Sequence, residues 1–489
     1  MHNWTDNLEA RQTVGVIALN TAALVAFACA PVASEYPLGG VSILAFLLIQ
    51  VFCPSCRLYF TAPLCPANIA QCLFWVQLVL VPLLIGYYDI SLGTLPELPS
   101  HQAIDTAICL RIVGYVSFCV AYQCFFKPVP AQRDPDVHHQ PDPFTQGVGV
   151  PFMLIAACAA LGLVGCFLFY RGIDGFIEYV SSPIYQRERE LEEATLAGAA
   201  GNLLRHFLGF AVILAWSWWI VGNGQRRSAA ACVVVTGLAA VVLLAANFTY
   251  NRGTTLAPAL ALAAAYSLHV RRISFSVVAL ASAVVLVVAF SFGWYRSSDL
   301  KVSDVSAEDI GTTWDGQQMV DFLQIYASGP QLTAYLIDDV EFENKFYYGK
   351  TLLPSVLYPI PVLGKPYREM SGVVIFNASI YGEMDVFDQI IAYDSELYIN
   401  FLVPGVVVGY FFLGWLLTRF QSRFLQATNP VESYAWLLLA LWTVFPGSIA
   451  VTSQSYFYSF WPIYLYALIK LLSFQARRTN DCGLLTADS

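Results

Sequence analysis

The chain has 489 residues, of which 57% are hydrophobic and 12% are charged, and its mean hydropathy is +0.59. Soluble globular domains carry about 25% charged residues, so this composition excludes an ordinary soluble protein and indicates a polytopic membrane protein. The formal net charge of -9, together with the lack of a clustered basic tract, argues against nucleic acid as a partner.

Hydropathy along the chain predicts an all-α polytopic membrane protein. The N-terminal sequence MHNWTDNLEARQ lacks the basic region and cleavage site of a removable signal peptide, so the first apolar run is expected to remain as a span. Apolar runs of about 19 residues predict about 12 transmembrane helices. The predicted spans are 13–30, 37–53, 68–87, 104–124, 150–170, 202–221, 229–248, 254–270, 274–293, 398–418, 432–451 and 455–473.

The spans divide the chain into three parts. Residues 1–296 hold the first nine helices and an outer loop at 171–202, residues 297–397 form one large, partly helical extracytoplasmic loop, and residues 398–489 hold the last three helices and a cytoplasmic tail. The stretch from 295 to 396 contains sixteen of the 34 carboxylates and only six Lys or Arg residues. Cations in this acidic loop are therefore candidate ligands for an anion.

Lys and Arg residues fall in alternate loops, as expected when short cytoplasmic loops are enriched in cations. We therefore expect both termini to be cytoplasmic and the large loop to face outward. The cations on the predicted cytoplasmic side are Arg57, Lys127, Arg133, Arg226, Arg227, Arg271, Arg272, Arg419, Arg423, Arg477 and Arg478.

The segment FCPSCRLYFTAPLCP holds Cys53, Cys56 and Cys65, a C-x-x-C pair with a third thiol. This spacing can bind zinc or undergo redox cycling. Buried cysteines are also common in apolar helices, and the sequence offers no fourth ligand. We therefore expect no metal site. The large outer loop contains no cysteine, so we expect no disulfide there.

Cations outside the alternating pattern are candidate functional residues. Arg187 and Arg189 lie in QRERELEEATLAGAAG on the predicted outer side, where a solvated helix with internal ion pairs is the alternative. The preceding segment, GIDGFIEYVSSPIYQ, has apolar residues at helical spacing and predicts an interfacial helix. Arg111 lies two turns inside the fourth span, where a cation usually faces a cavity or a partner. Pairing within the bundle, snorkelling outward and binding of lipid phosphate are all open for it.

The segment TYNRGTTLAPAL places Arg252 before Gly253 at the outer mouth between two spans. If a helix starts at Gly253, its free N–H groups and positive dipole end point to the same surface as the guanidinium. Together these groups predict a phosphate cradle. The alternative is an interfacial arginine that snorkels to lipid headgroups.

The loop segment 346–377 carries four prolines that bar a long helix, and its cations are Lys350, Lys365 and Arg368. Phosphate or pyrophosphate on a lipid carrier would suit these cations. Solvated side chains are the alternative, above all for Lys350.

Three segments follow one another in a recognisable order: YYGKTLLPSVLYPIP, then GKPYRE, then SELYINFLVPGVVVGYFFLGWLL leading into a span. This order resembles the Wzy-type O-antigen polymerases, also called oligosaccharide repeat unit polymerases. Those proteins typically show a Gly-Thr or similar step, an "iP" element, a KP pair, an outer Arg-Gly and the pattern GE-x-Y-x-NFG before a span. The matching positions are Arg187 with Gly198 in an Arg-x10-Gly spacing, Arg252 with Gly253, Lys365 with Pro366, and Glu396, Tyr398, Asn400 and Phe401.

The chain departs from the family pattern at two positions. Ser395 stands where a glycine usually precedes Glu396, and Leu402 stands where a glycine usually follows Phe401. The resemblance covers roughly residues 170–420, and the two departures concern the local geometry at the start of the tenth span.

The resemblance implies a GT-C-like membrane glycosyltransferase of the bacterial inner membrane, which joins oligosaccharide units carried on polyprenyl diphosphate at the outer leaflet. Its implied partners are the lipid-linked donor and acceptor, membrane lipids, a chain-length regulator and a flippase, and no cofactor is implied. The predicted catalytic residues are Arg252, Glu396 and Arg187. The predicted substrate-binding residues are Arg189, Arg296, Lys365, Arg368, Tyr250, Tyr398, Asn400 and Arg111.

In the predicted reaction, arginines neutralise the leaving diphosphate in place of the metal ion that many soluble glycosyltransferases use. The large loop has no His or Cys, so the base that deprotonates the acceptor hydroxyl is expected to be a carboxylate. The candidates are Glu396, Asp394, Asp388 and Glu383.

Other functions stay open at this point. A ligase that moves a finished glycan to another acceptor shares the same chemistry. A transporter or flippase would show internal repeats and charged or broken helices near the bilayer midplane, and among these features the sequence offers Arg111 alone. A structural or sensory membrane protein would not need cations at one outer face.

Overall fold

The computed structural model describes residues 2–58, 63–89, 99–127, 150–181, 196–221, 228–246, 252–284, 329–338, 346–354, 370–372, 374–375, 392–427 and 429–444. Within these ranges every regular element is helical and no strand occurs. The principal helices are α1 (His2–Ala28), α2 (Pro37–Phe52), α3 (Pro66–Tyr88), α4 (His101–Phe125), α5 (Val150–Tyr170), α6 (Ile173–Ser181), α7 (Leu196–Val221), α8 (Ala229–Ala246), α9 (Arg252–His269), α10 (Phe275–Val284), α11 (Gly329–Asp338), α12 (Tyr393–Gln426) and α13 (Pro430–Val444).

Within the described ranges, five helices are long and apolar enough to cross a membrane: α3, α4, α5, α8 and α12. This confirms the all-α membrane class. Shorter apolar helices lie at six of the other predicted spans, in α1, α2, α7, α9, α10 and α13. The twelfth predicted span, 455–473, lies outside the described residues, so the number of spans stays a prediction.

The start of α12 differs from the hydropathy prediction. The helix begins at Tyr393, whereas the apolar run suggested a start at residue 398, because Asp394 and Glu396 lower the local hydropathy. Both acids are nevertheless buried in the first turn of the helix. Acidic side chains are favoured at this end of a helix by the partial positive charge of its free N–H groups.

One compact unit of the chain comprises residues 1–128, 314–422 and 440–460. Its core contains an aromatic cluster in which Phe74 of α3 lies 4.8 Å from Tyr115 and 5.0 Å from Phe118 of α4, measured between ring centroids. Helix α12 packs closely against α4, because a side chain at Gly114 would meet the Tyr410 ring at 2.8 Å. Helix α11 packs against the same α4 helix.

The second unit comprises residues 129–313, 423–439 and 461–489. Helices α5 and α7 approach so closely that a Cβ atom at Gly162 would meet the backbone of Leu208, and one at Gly165 would meet that of Arg205. Small residues allow membrane helices to approach in this way. Helix α6 exposes Ile173 and Ile177 and matches the helix predicted for the interfacial segment.

Candidate functional site

In the first unit, every predicted site residue that the structure describes lies in the first turns of α12 or contacts them. Glu396, Tyr398 and Asn400 belong to the first turns of α12, and Arg111 reaches this end of the helix from α4. The surrounding side chains form a buried polar cluster, which we call the α12 cluster. It comprises Gln77, Arg111, Thr333, Thr351, Asp394, Ser395, Glu396 and Asn400.

A buried ion pair forms one side of the α12 cluster. Arg111 donates from Nη2 to Oδ1 of Asp394 at 2.7 Å and from Nη1 to Oε1 of Gln77 at 2.6 Å. Both charged side chains are 0% exposed. Among the alternatives open for Arg111, the structure shows pairing within the bundle. A role in binding lipid phosphate stays a prediction.

Gln77 owes its position to a local irregularity of α3. Residues Val76–Leu80 form a π-helical turn between two α-helical segments. Such turns insert an extra residue into a helix and occur frequently at functional sites. Gln77 could not be selected from the sequence, since a lone glutamine within an apolar run is ordinary.

The other side of the α12 cluster ties the loop segment 346–354 to α12. Asn400 accepts the Gly349 N–H at 2.7 Å and donates to the Thr351 hydroxyl at 2.6 Å and to the Glu396 carbonyl at 2.7 Å. The Tyr347 N–H also donates to the Ile399 carbonyl at 3.2 Å. Asn400 therefore fixes the loop segment to the helix through a polar side chain that is itself buried.

At this contact, Gly349 has a backbone conformation that favours glycine. Its φ is 84°, in the left-handed region that glycine adopts at little cost. A Cβ atom there would lie 3.1 Å from Cζ of Phe401, so the aromatic ring lies directly against the glycine. The loop segment and the span that follows it in the family pattern are therefore in contact.

Glu396 lies within this arrangement and its side chain is 0% exposed. The preceding residue, Ser395, shares a hydrogen bond of 2.6 Å with Thr333 of α11. Glu396 is thus held on a packed helical turn, as a general base requires. Its role as the base stays a prediction, and the structural role of an acid at a helix start stays the alternative.

Helix α12 breaks at Leu402. This residue has φ 55° and ψ -152°, a conformation that is strained for any residue with a Cβ atom. Leu402 occupies the position where the family pattern has glycine, and Pro404 follows it closely. The departure from the pattern therefore falls at a position where the backbone adopts a conformation suited to glycine.

The described part of the second unit includes one predicted site residue, Arg252. It is the first residue of α9, one position earlier than the predicted helix start at Gly253. The role of Arg252 in a phosphate cradle stays a prediction. The other predicted site residues lie outside the described residues: Arg187, Arg189, Tyr250, Arg296, Lys365 and Arg368.

Arg205 in α7 is a buried cation that was not among the predicted site residues. Its side chain is 5% exposed, its guanidinium carbon lies 4.1 Å from the centroid of the Phe169 ring, and Nη1 donates to the Tyr170 hydroxyl at 3.2 Å. A cation over an aromatic face is stabilised by the quadrupole of the ring. The signal was available, because Arg205 lies inside a predicted span as Arg111 does.

Cys53, Cys56 and Cys65, for which zinc binding was the alternative, lie within the described part of the chain. Among the described residues, no group of three or more His, Cys, Asp or Glu side chains could hold a metal ion. Burial raises the pKa of the Cys65 thiol to about 11.

The chain was compared with protein families, curated proteins and solved structures. No family model, no curated protein and no solved structure matches this chain.

Proposed function

We propose that this protein is a membrane glycosyltransferase that polymerises polyprenyl-diphosphate-linked oligosaccharide units into a surface polysaccharide at the outer face of the bacterial inner membrane. The observation that carries the proposal is the contact between two motif segments. Gly349 and Thr351 of the first segment bond to Asn400 of the last. Segments matched by chance would have no reason to meet around one of the matched residues.

The break at Leu402 supports the same proposal. A polymerase of the resembled family would carry glycine at this position, and the backbone here has the positive φ that glycine favours. A backbone conformation that favours glycine, at a position where the motif has glycine, supports the proposal. This is independent of the Asn400 contacts, which involve side chains and the loop segment.

In the proposed reaction the donor is the growing glycan on one lipid diphosphate, and the acceptor is the terminal sugar of a new lipid-linked unit. The acceptor hydroxyl oxygen forms a bond to the anomeric carbon of the donor while the bond from that carbon to the diphosphate oxygen breaks. The hydroxyl proton passes to the Glu396 carboxylate, and polyprenyl diphosphate departs. From the sequence pattern, Arg252 is the candidate that stabilises the charge developing on the diphosphate.

A transporter of lipid-linked glycans is a second candidate, and two observations favour it. Helix α12 is interrupted at Leu402, and the Arg111–Asp394 pair joins charges on two candidate spanning helices. Broken helices and charges within spans are typical of secondary transporters. A ligase shares the chemistry of the polymerase, and the two enzymes differ in the acceptor of the glycan.

Deletion of the gene in its host tests these proposals together. A polymerase mutant should accumulate single lipid-linked units on the outer leaflet and make no long polysaccharide. Re-expression of the wild-type chain should restore the polymer. Long polymer retained on the lipid carrier would indicate a ligase, and single units retained on the cytoplasmic leaflet would indicate a flippase. A wild-type polymer length distribution after deletion would overturn the proposed function.

A further inference from the structure

We propose that the Arg111–Asp394 ion pair is a positioning clamp that fixes the first turn of α12 and, through that turn, the Glu396 carboxylate. The part of this inference that concerns Glu396 rests on the proposed function. The inference that the ion pair holds the first turn of α12 in place does not depend on the proposed function.

The clamp joins three helices. Gln77 of α3 accepts a hydrogen bond from Arg111 of α4, and the same guanidinium donates to Asp394 of α12. An arginine guanidinium is planar and presents its donors in a fixed geometry, so it restrains the direction as well as the distance of a carboxylate. Asp394 and Glu396 belong to one helical turn, so a restraint on the first residue also restrains the second.

The energetics of the pair argue against stability as its sole purpose. Both side chains are 0% exposed, and burial of two charges offsets much of their mutual attraction. Within the described part of the chain, Oδ2 of Asp394 has no hydrogen-bond partner. Well-packed apolar residues often replace such a pair without loss of stability. A costly ion pair beside a candidate base is explained if the pair orients that base.

A neighbouring contact provides a reporter of the turn. Thr333 Oγ1 and Ser395 Oγ are 2.6 Å apart, and Ser395 lies between the two acids. Cysteines at both positions would bring two sulfur atoms within bonding reach only while the first turn of α12 keeps its place against α11. The yield of this disulfide therefore measures the position of the turn without any substrate.

The experiment starts from full-length protein in which exposed native cysteines are replaced and Thr333→Cys is combined with Ser395→Cys. Mild oxidation should form the disulfide in most molecules, as measured by the mobility of proteolytic fragments. Because Asp394→Asn leaves the buried Arg111 charge without its partner, that variant can fail to fold. The deciding variant is therefore Arg111→Met with Asp394→Leu, which should unfold within a few degrees of the parent.

In this neutral double variant we expect the disulfide yield to fall at least fivefold. The matched control is Ser117→Ala, which removes a bond of 2.7 Å from Ser117 of α4 to the Val407 carbonyl of α12 and leaves the ion pair intact. The control should keep the parental yield. A parental yield in the neutral double variant would overturn the clamp.

The effect of the clamp on Glu396 is measured separately. This measurement uses protein with the native Thr333, Ser395 and cysteines, so that no reporter disulfide can form. The neutral double variant should lower kcat for lipid-linked units at least tenfold and change KM less than twofold, although its stability is restored. A wild-type kcat would overturn the link. If the wild-type protein forms no polymer, the proposed function fails, and the disulfide yield still decides the clamp.

Discussion

The side-chain oxygen of Asn400 accepts the backbone N–H of Gly349 at 2.7 Å, across 51 residues of sequence. The amide nitrogen of the same side chain bonds to Thr351 and to the Glu396 carbonyl. One carboxamide thus joins a loop segment to the first turns of a membrane helix. Each of its bonds needs either the acceptor or the donor end of the amide, so no other side chain of this size would serve all three.

Asn400→Ala should therefore destabilise the protein by about 1–3 kcal/mol, because it leaves the partly buried Gly349 N–H without an acceptor. Thermal unfolding in detergent measures this loss. Thr351→Ser keeps the hydroxyl that Asn400 contacts and is the matched control; it removes only one buried methyl group, so it should cost about 0.8 kcal/mol. If Asn400→Ala unfolds at the wild-type temperature, the loop segment is not held by this side chain.

At Leu402 the usual ranking of alanine and glycine in a helix should be reversed. Alanine is normally more stable than glycine by about 1 kcal/mol. A positive φ costs a residue with a Cβ atom about 1–2 kcal/mol, and it costs glycine almost nothing. Leu402→Gly should therefore be more stable than Leu402→Ala, measured as the difference in unfolding free energy.

The control for that reversal is Val408, which lies in the same helix with its side chain exposed. There the ordinary ranking should hold, with Val408→Ala more stable than Val408→Gly by about 1 kcal/mol. The same order of stability at both positions would mean that α12 continues without a break through Leu402.

Gly165→Ala should loosen the pairing of α5 with α7, because its Cβ atom would meet the backbone nitrogen of Arg205. Overpacking of this kind costs about 1–3 kcal/mol. The matched control is Gly237→Ala in α8, where the added atom meets nothing within 4 Å. That control should be neutral or more stable by about 1 kcal/mol. Equal unfolding temperatures for the two variants would contradict the close approach of α5 and α7.

Arg252→Ala should lower the rate of polymer formation by about tenfold to a hundredfold, since a hydrogen bond from a charged group to phosphate contributes about 1.5–3 kcal/mol. Arg252→Lys should recover part of the rate, because lysine keeps the charge and loses the planar fork. Arg271→Ala removes an exposed arginine just after α9 and is the control. Polymer formation by Arg252→Ala at the Arg271→Ala rate would remove Arg252 from the diphosphate site.

Glu396→Gln keeps the size of the side chain and cannot accept the acceptor proton. If Glu396 is the base, this variant should bind lipid-linked units and form polymer about a hundredfold to ten-thousandfold more slowly. Glu432→Gln, in the first turn of α13, removes an acid from an equivalent helix position and should keep the rate. A wild-type rate for Glu396→Gln would shift the search to Asp394, Asp388 and Glu383.

Helices were the most predictable part of this fold, because apolar composition is a local property of the sequence. The predicted spans 150–170 and 229–248 correspond to α5 and α8, which end at Tyr170 and Ala246. The start of α4 was less predictable. Ser100 accepts the Ala103 N–H there and caps the helix before the apolar run begins.

The α12 cluster was predictable in half of its eight members, Arg111, Asp394, Glu396 and Asn400, and not in its contacts. Arg111 stood out as a cation within a span, but Asp394 lies 283 residues away and no local pattern joins the two. Leu402 could not be selected from propensity, since leucine favours a regular helix. Its one signal was the glycine that the family pattern has at this position.

The π-helical turn of α3 makes the electrostatics of the cluster depend on the number of residues in that helix. A π-helical turn accommodates one more residue than a regular α-helical turn, so the side chains of Val76–Leu80 point in directions that regular winding would not give them. Deletion of one residue from this turn would restore regular winding and change the direction of Gln77 relative to Arg111. A variant of this chain that lacks the extra residue would have to supply the second acceptor for this guanidinium from a different position, so the length of α3 and the choice of polar residue opposite Arg111 should change together.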